Sequence, residues 1–389
     1  MKNNDAQNSH CRFFPSCGGC SYLDLLDDEY QKIKIENLKK DLAEILNDTP
    51  SLAGRAFEMN VDRENQAFKV RENILPELDF FSVGPHSRRK IILQLDAKNK
   101  LGFFAKGSKD LVAIDACYVA QKEISDLIPA LQNIFENFEA NVISQVAVTA
   151  FDNIVDVVFS CLRELNFSQI QKITAFAKAF KINASYRLKN QVTPIITLQP
   201  NQIFYPNFKI DLSSDIFIQA TKLGLHKITS IISDFIKNKF DKKIILADIY
   251  TGFGAYSFGI VELTKEIYAF EGSEEMTKLI AKNATKNGFN NRIKTEHRDL
   301  MLYPVSEREM LKFDLVIINP PRNGAGPQIH KIANSKLQNL IYVSCNPKTF
   351  ARDAGILLDS GFKITKLTAI DQFYSSPHLE VVGVFERLS

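Results

Sequence analysis

KIILADIYTGFGAYSFG, residues 243–259, runs from a continuous apolar stretch into a glycine turn and on toward a helix. A strand that is apolar on both faces reads as one buried in the middle of a parallel sheet. Gly252 and Gly254 stand at its carboxyl end, where the chain must turn tightly and where open α/β sheets approach their ligands. The spacing Gly252, Gly254, Gly259 is not the dinucleotide G-x-G-x-x-G, and glycines serve many strand–helix turns for purely structural reasons. The stretch therefore decides the fold and leaves the ligand open.

The same rhythm repeats downstream. EIYAFE (266–271) precedes the helical SEEMTKLIAKNATKNG, FDLVIIN (313–319) precedes PPRNGAG, and LIYVSC (340–345) precedes NPKTFARDAGILLDSG. FKITKLTAI and LEVVGVFERL close the chain as strands. Strands alternating with helices predict a Rossmann-like, doubly wound α/β domain over residues 210–389. Upstream, KIILQLDA, LGFFA and LVAIDAC read as strands, with a hairpin around Asp152-Asn153 and an amphipathic helix in NFSQIQKITAFAKAF. That pattern predicts a central α+β domain over residues 51–209. Residues 29–46 predict a helix with Ile33, Ile35, Leu38, Leu42, Ile45 and Leu46 mostly on one face. Residues 47–85 are rich in turn formers and give no element, and residues 1–10 read as a disordered tail. Residues 11–50 form a segment that joins a cysteine cluster to the helix.

A chain of 389 residues exceeds the usual single-domain size. Its 45% hydrophobic and 24% charged content suits a globular protein with a proper core. A net charge of +3 does not announce nucleic-acid binding, so any basic surface must be local. SRRK (87–90) is the densest basic run, and reads equally as a phosphate contact or as a solvated hairpin face. The first residues lack the apolar core of a signal peptide, and no apolar run is long enough to span a membrane. These features predict a cytoplasmic protein whose clustered cysteines serve metal binding or catalysis rather than disulfides.

Glu271 ends the second strand about twenty residues after the glycine turn, where a carboxylate accepts hydrogen bonds from ribose hydroxyls. Asn319 is held by Pro320 and Pro321 at the end of a later strand. The three features together fit an S-adenosylmethionine site better than a nicotinamide site. An aromatic residue after Asn-Pro-Pro would suggest amino-group methylation; Arg322 stands there instead. Cys345, at a strand end, is either a nucleophile or an inert buried thiol. A helix beginning near Pro347 would favour its thiolate. Cys161, inside an apolar strand with no motif around it, reads as inert.

DIYTGFGAYSF, INPPRNGAG, YVSCNPKTFARD and DQFYSSPHLE stand in the order and spacing of the RNA 5-methyluridine methyltransferases, and the chain resembles that family over residues 210–389. FIQATK (217–222) looks like the motif that opens the family's catalytic domain, and C-x5-C-G-G-C resembles the iron–sulfur 23S rRNA branch. The resemblance implies that Gln219, Tyr250, Glu271, Asp299 and Asn319 contact S-adenosylmethionine. It implies that Cys345 is the nucleophile and Glu380 the general base. It further implies that Cys11, Cys17, Cys20 and Cys117 hold a 4Fe-4S cluster, although four thiolates chemically suit zinc as well. The family's TRAM barrel is expected to be absent, because the first cysteine is residue 11. Thr251, Ala255 and Thr221 depart from the family pattern, and the closing motif is normally closer to FPHTxHVE. The implied activity is methylation of uracil C5 in a loop of 23S rRNA by a monomer. The alternatives are a tRNA T-loop methyltransferase and a catalytically lapsed RNA-binding or ribosome-assembly protein.

Overall fold

The computed structural model describes residues 10–48, 75–136 and 138–387. Helix α1 (Asp27–Asp48) and strand β1 (Leu78–Ser82) come first. Strands β2 (Lys90–Leu95), β3 (Leu101–Phe104) and β4 (Leu111–Ala113) precede helix α2 (Ile128–Phe135). Then follow β5 (Ile143–Ala150), β6 (Val155–Cys161), helix α3 (Phe167–Phe180), β7 (Asn183–Leu188), β8 (Gln191–Ile196), β9 (Asn201–Phe204) and β10 (Lys209–Leu212). The C-terminal portion holds α4 (Lys222–Lys239), β11 (Ile244–Ile249), α5 (Ala255–Ile260), β12 (Thr264–Glu271), α6 (Glu274–Lys286) and β13 (Ile293–His297). It ends with β14 (Leu315–Ile318), α7 (Pro327–Ala333), β15 (Asn339–Ser344), α8 (Pro347–Asp359), β16 (Phe362–Asp371) and β17 (Glu380–Arg387).

The chain divides into two compact units. The first gathers 1–27, 83–224 and 372–377; the second gathers 28–82, 225–371 and 378–389. The first unit is built on a seven-stranded sheet in the order β4-β3-β2-β5-β6-β7-β8. Apart from the parallel β6–β7 pair its ladders are antiparallel, and α3 supplies the crossover that a parallel pair requires. Asn166 and Gln169 form a reciprocal capping box at the start of α3, so that helix begins where its sequence says it must. The Asp152-Asn153 hairpin joins β5 to β6 with Ala150 opposite Val155.

The second unit is a Rossmann-like α/β domain whose eight strands run β1-β16-β17-β15-β14-β11-β12-β13. The ladders linking β15, β14, β11, β12 and β13 are parallel, and β17 runs antiparallel between β15 and β16. Two of its strands were not read from the sequence. β13 is five residues of mixed polarity, and β1 comes from the stretch given no element, pairing in parallel with β16 at the sheet edge. Helix α1 buries Tyr30, Lys34, Leu38 and Leu42, one every four residues, so its buried face includes a lysine that an apolar-face reading passes over. The side chains of Ile45 and Leu46 lie outside the described residues.

Candidate active site

The topology lines up the residues singled out in the second unit. Tyr250 follows β11, Glu271 ends β12, Asp299 lies two residues past β13, Asn319 follows β14 and Cys345 follows β15. Because those strands are parallel, all five stand at one edge of the sheet. β17 is antiparallel to β15 and so begins at that same edge, with Glu380 as its first residue. Reading across the sheet gives Asp299, Glu271, Tyr250, Asn319, Cys345, Glu380, with neighbouring strands about 4.8 Å apart. The strand order reverses between β11 and β14, the topological switch point at which open α/β sheets bind ligands.

The glycine turn is built for close approach. Gly252 (φ +58) and Gly254 (φ +84) adopt the left-handed conformation, and a Cβ on Gly254 would meet the Phe258 ring at 3.2 Å. A Cβ on Gly252 would meet nothing within 4 Å, so the side of the turn it would occupy is open. Glu271 holds the turn: one carboxylate oxygen accepts from the Gly252 amide at 2.9 Å and the other from the Ser273 amide at 3.0 Å. Each oxygen keeps a lone pair for a further donor such as a ribose hydroxyl. Tyr250, itself at φ +62, donates its hydroxyl to the Ala325 carbonyl at 2.8 Å, tying the turn to the loop after Asn319. Oδ1 of Asp299 accepts from the amides of Met301 and Leu302. Thr251, where the family usually has cysteine, donates to buried Asp248 at 2.8 Å, as does Ser257 at 2.6 Å.

The tightest constellation surrounds Cys345. Ser344 lies opposite Val381 in the β15–β17 ladder, so the next step of that register sets Cys345 beside Glu380. Asn346 caps α8 through the Lys348 amide at 3.1 Å and donates its side-chain amide to the Arg322 carbonyl at 2.9 Å. That bond, with Thr349 on the same carbonyl, fastens the Asn319-Pro320-Pro321-Arg322 loop to the start of α8. The Arg322 side chain then hydrogen-bonds the Cys345 thiol. Burial, followed by the Glu380 charge, pushes that thiol up from its ordinary value, while Arg322 and the Cys345 amide pull it down. The net direction is upward, so desolvation and the neighbouring carboxylate outweigh the influences that favour the thiolate. Arg322 is the residue the sequence reading passed over as a participant; its only signal there was its place directly after two loop-stiffening prolines.

Gln219 lies in the first unit and is buried. Thr221, two residues on, accepts from the Gly224 amide at 2.9 Å and so caps α4. In SRRK, two of the three cations are held internally. Arg89 is 2% exposed and paired with Asp152 at 3.0 Å, and Lys90 bonds Asp215 at 3.0 Å.

The four N-terminal-type cysteines also lie in the first unit. The loop carrying Cys11, Cys17 and Cys20 lies against β3: Cys17 bridges Ala105, and Gly18 donates to the Phe104 carbonyl at 2.9 Å. A Cβ on Gly18 would stand 2.6 Å from that oxygen, so this approach demands glycine. Burial is the largest influence on Cys17, Cys20 and Cys117 and raises all three, and Cys20 is pushed up to about 12. Cys117 and Cys17 also raise Cys20, while Cys17 and Cys11 raise Cys117, so the four thiols lie within electrostatic reach of one another. All are free thiols. The donor set, sulfur alone and desolvated, fits iron or zinc, since a bound cation relieves such mutual repulsion. Among the described residues, however, no three His, Cys, Asp or Glu side chains are gathered closely enough to hold a metal ion, so the structure does not itself establish the cluster. Cys161 is buried, bonds only the Phe159 carbonyl among described partners and is pushed up to about 12, an inert thiol. No helix among the described residues is long and apolar enough to cross a membrane.

Comparison with known proteins adds a family. A family model described as tRNA (uracil-5-)-methyltransferase matches residues 80–388. An uncharacterized RNA methyltransferase of Caulobacter vibrioides is 30% identical over 97% of this chain and 85% of its own length. A protein named 23S rRNA (uracil(1939)-C(5))-methyltransferase RlmD, from Alteromonas mediterranea, is 27% identical over 98% of this chain and 75% of its own. Among solved structures, Pyrococcus abyssi tRNA (uracil-54, C5)-methyltransferase in complex with S-adenosyl-L-homocysteine shares the fold. Its TM-score is 0.69 at 20% identity, covering 95% of this chain and 86% of the other.

Proposed function

The chain belongs to the tRNA (uracil-5-)-methyltransferase family, and from that premise we propose that it methylates C5 of a loop uridine in 23S rRNA through a covalent adduct on Cys345. It is an S-adenosylmethionine-dependent RNA uracil-5-methyltransferase. The observation that carries the finer reading is the β15–β17 register, which makes Cys345 and Glu380 neighbours one strand from Asn319.

Uracil C5 is a poor nucleophile, so the residues must first activate it. The Cys345 thiol gives its proton to solvent, the Arg322 cation favouring the anion, and the thiolate adds to C6 so that the ring electrons become an enolate nucleophilic at C5. S-adenosylmethionine would supply the methyl group to C5, its sulfonium sulfur keeping the bonding pair and leaving as S-adenosylhomocysteine. Glu380 removes the C5 proton; the C–H electrons restore the C5–C6 double bond, the C6–S bond breaks, and the thiolate leaves. A stacked base hides both of its faces, so the uridine is extruded or lies in a loop, and extrusion costs a few kcal/mol. Tyr250, Glu271, Asp299 and Asn319 hold the cofactor across the sheet edge, with Gln219 assigned to it from its motif.

Cys11, Cys17, Cys20 and Cys117 would hold the 4Fe-4S cluster, whose contribution is to tie the N-terminal loop to the sheet of the first unit. The first unit, which holds most of residues 51–209, serves as the RNA-binding domain and the second, which adds 28–82 to most of residues 210–389, as the catalytic domain, in a monomer acting in the cytoplasm. The 23S assignment is supported by the four-cysteine pattern and by the name of the Alteromonas relative. Mapping 5-methyluridine in the rRNA and tRNA of a deletion strain tests the target: loss from 23S rRNA is expected, and loss from the tRNA T-loop overturns it. RNA bearing 5-fluorouracil tests the chemistry. With the methyl donor present it should trap an adduct stable to denaturation on the parent enzyme and none on Cys345→Ala, which should still bind RNA. A Cys345→Ala enzyme that still methylates would overturn the mechanism.

A further inference from the structure

Helix α1 places an ammonium where a hydrocarbon would be expected. Lys34 is 1% exposed and lies between Tyr30 and Leu38 on the buried stripe of the second unit. Its Nζ forms an ion pair with Asp371, itself wholly buried, and donates to the Tyr30 hydroxyl at 3.1 Å and to the His378 carbonyl at 2.8 Å. Tyr30 in turn donates to Asp371 Oδ2 at 2.6 Å, and Ser82 donates to the same oxygen at 3.1 Å.

The partners of Lys34 are not arbitrary. Asp371 is the last residue of β16, and His378 comes two residues before Glu380. Between them the chain leaves the second unit for six residues, Gln372–Pro377. There Ser375, at φ +60, accepts from the Ser21 amide through its carbonyl at 2.7 Å and hydrogen-bonds the Cys20 thiol. When it returns, it must resume the β16–β17 ladder with Ile370 opposite Glu380. Lys34 thus grips the residue at which the chain departs and the carbonyl at which it comes back. Packing alone does not ask for this, since a buried ion pair is often no more stabilising than well-packed apolar side chains. What an ammonium adds is direction: three donors that fix a carboxylate and a carbonyl relative to each other.

We propose that Lys34 is a positioning residue for Glu380, fixing Asp371 and His378 so that the carboxylate two residues on is aimed at the C5 hydrogen. The inference rests on the reading of Glu380 as the base. A displacement of about 1 Å at a reacting group can cost on the order of 100-fold in rate. Loss of Lys34 therefore slows the step that needs Glu380, proton removal with release of the thiolate, and spares the addition that needs Cys345.

The test is single-turnover methylation of the unmodified transcript, rRNA or tRNA, that the parent enzyme methylates, with covalent RNA–protein adduct and free product resolved under denaturing conditions. Lys34→Met alone would strand a buried carboxylate, so it is combined with Asp371→Asn, which removes both charges together. The double variant is expected to form adduct within about twofold of the parental rate and to release product at least tenfold more slowly, so that methylated adduct accumulates. Glu380→Gln is the reference and should accumulate the same species. Release at the parental rate by the double variant, with Glu380→Gln still accumulating adduct, overturns the role of Lys34 and leaves the base in place. No adduct from Glu380→Gln removes the base assignment, and the Lys34 role falls with it. Should the double variant fail to fold, Tyr30→Phe decides by the same partition: it keeps the charge pair, loses the hydroxyl between Lys34 and Asp371, and should shift release in the same direction.

Discussion

Cys345 sits between two opposing charges, and their balance decides how the site is used. The thiol is raised first by burial and then by Glu380, and Arg322 works against both. A nucleophile that rests protonated is protected from casual alkylation and oxidation, because only the thiolate reacts. On the proposed mechanism, RNA offers that thiol an electrophilic C6. The sign of each neighbour can be checked without RNA. Replacing Glu380 by Gln removes a negative charge from the thiol, so alkylation by iodoacetamide near neutral pH should speed up several-fold and its pH midpoint should fall. Replacing Arg322 by Met removes the cation and the hydrogen bond together, so alkylation should slow several-fold and the midpoint should rise. Peptide mapping of the labelled cysteine makes the measurement specific to Cys345. Equal profiles for the three proteins would mean that neither charge reaches the sulfur.

At the scale of elements, strands β2, β5, β6 and β7 carry a polar row through the first unit's sheet: Lys90 opposite Thr149, Thr149 opposite Asp156, Asp156 opposite Asn183. Asp156 is wholly buried and accepts from Ser214 at 3.0 Å through Oδ1, while Oδ2 has no hydrogen bond of ordinary length among the described residues. Burial raises it from 3.8 to about 6, against the opposing hydrogen bonds of Ser214 and Asn201 and the Lys90 charge. The folded state therefore holds this proton more tightly than the unfolded chain does. Stability from this residue is intact below about pH 4 and is lost as pH rises through about 6, by roughly 3 kcal/mol in all. Asp156→Asn carries no charge to bury, so it should be more stable than the parent near pH 8 and should lose that advantage by about pH 4, as read by urea unfolding. Parallel curves at the two pH values would remove the argument. The same row shows where sequence reading reaches its limit. The strands of the second unit that are apolar on both faces were legible, because burial on both sides leaves an unbroken hydrophobic run. β1 and β13 were not, being short edge strands whose residues need not be apolar. The burial of Lys34 and Arg89 was not legible, for one reason: a cation is buried only when a partner far along the chain neutralises it. Asp371 and Asp152 are 337 and 63 residues away. The candidate site was legible where a motif is local, as at Cys345 with Asn346 and Pro347. The contact of Arg322 with the thiol depends on Asn346 reaching back 24 residues to the Arg322 carbonyl.

For the whole molecule, the order of segments matters more than any one contact. The two units are made of alternating stretches of chain, so the Rossmann-like unit is not a contiguous C-terminal block. It takes α1 and β1 from residues 28–82, far upstream of β11. Leu38 and Leu42 of α1, each 1% exposed, join the core that includes Phe350, Leu367 and Phe385, and burial of a leucine contributes about 1.5–3 kcal/mol. Lys34 neutralises Asp371, and removing one partner of such a pair costs about 3–5 kcal/mol. β1 covers the outer edge of β16 over five residue pairs, an edge that would otherwise offer unpaired backbone groups to any other strand. Together these losses are of the same order as the ~5–15 kcal/mol by which a whole domain is stable. A fragment cut where the second unit resumes, residues 225–389, should therefore lack fixed tertiary packing even though it carries Cys345, Glu380 and the glycine turn. Near-ultraviolet circular dichroism, dye binding and S-adenosylmethionine binding should show a collapsed, dye-binding chain with no cofactor affinity. Adding back 28–82 as a separate peptide should restore cofactor binding in proportion to its concentration, because what it returns is a helix face, a cation and a strand rather than a catalytic group. A 225–389 fragment with native-like packing on its own would mean that the upstream segment decorates the fold instead of completing it.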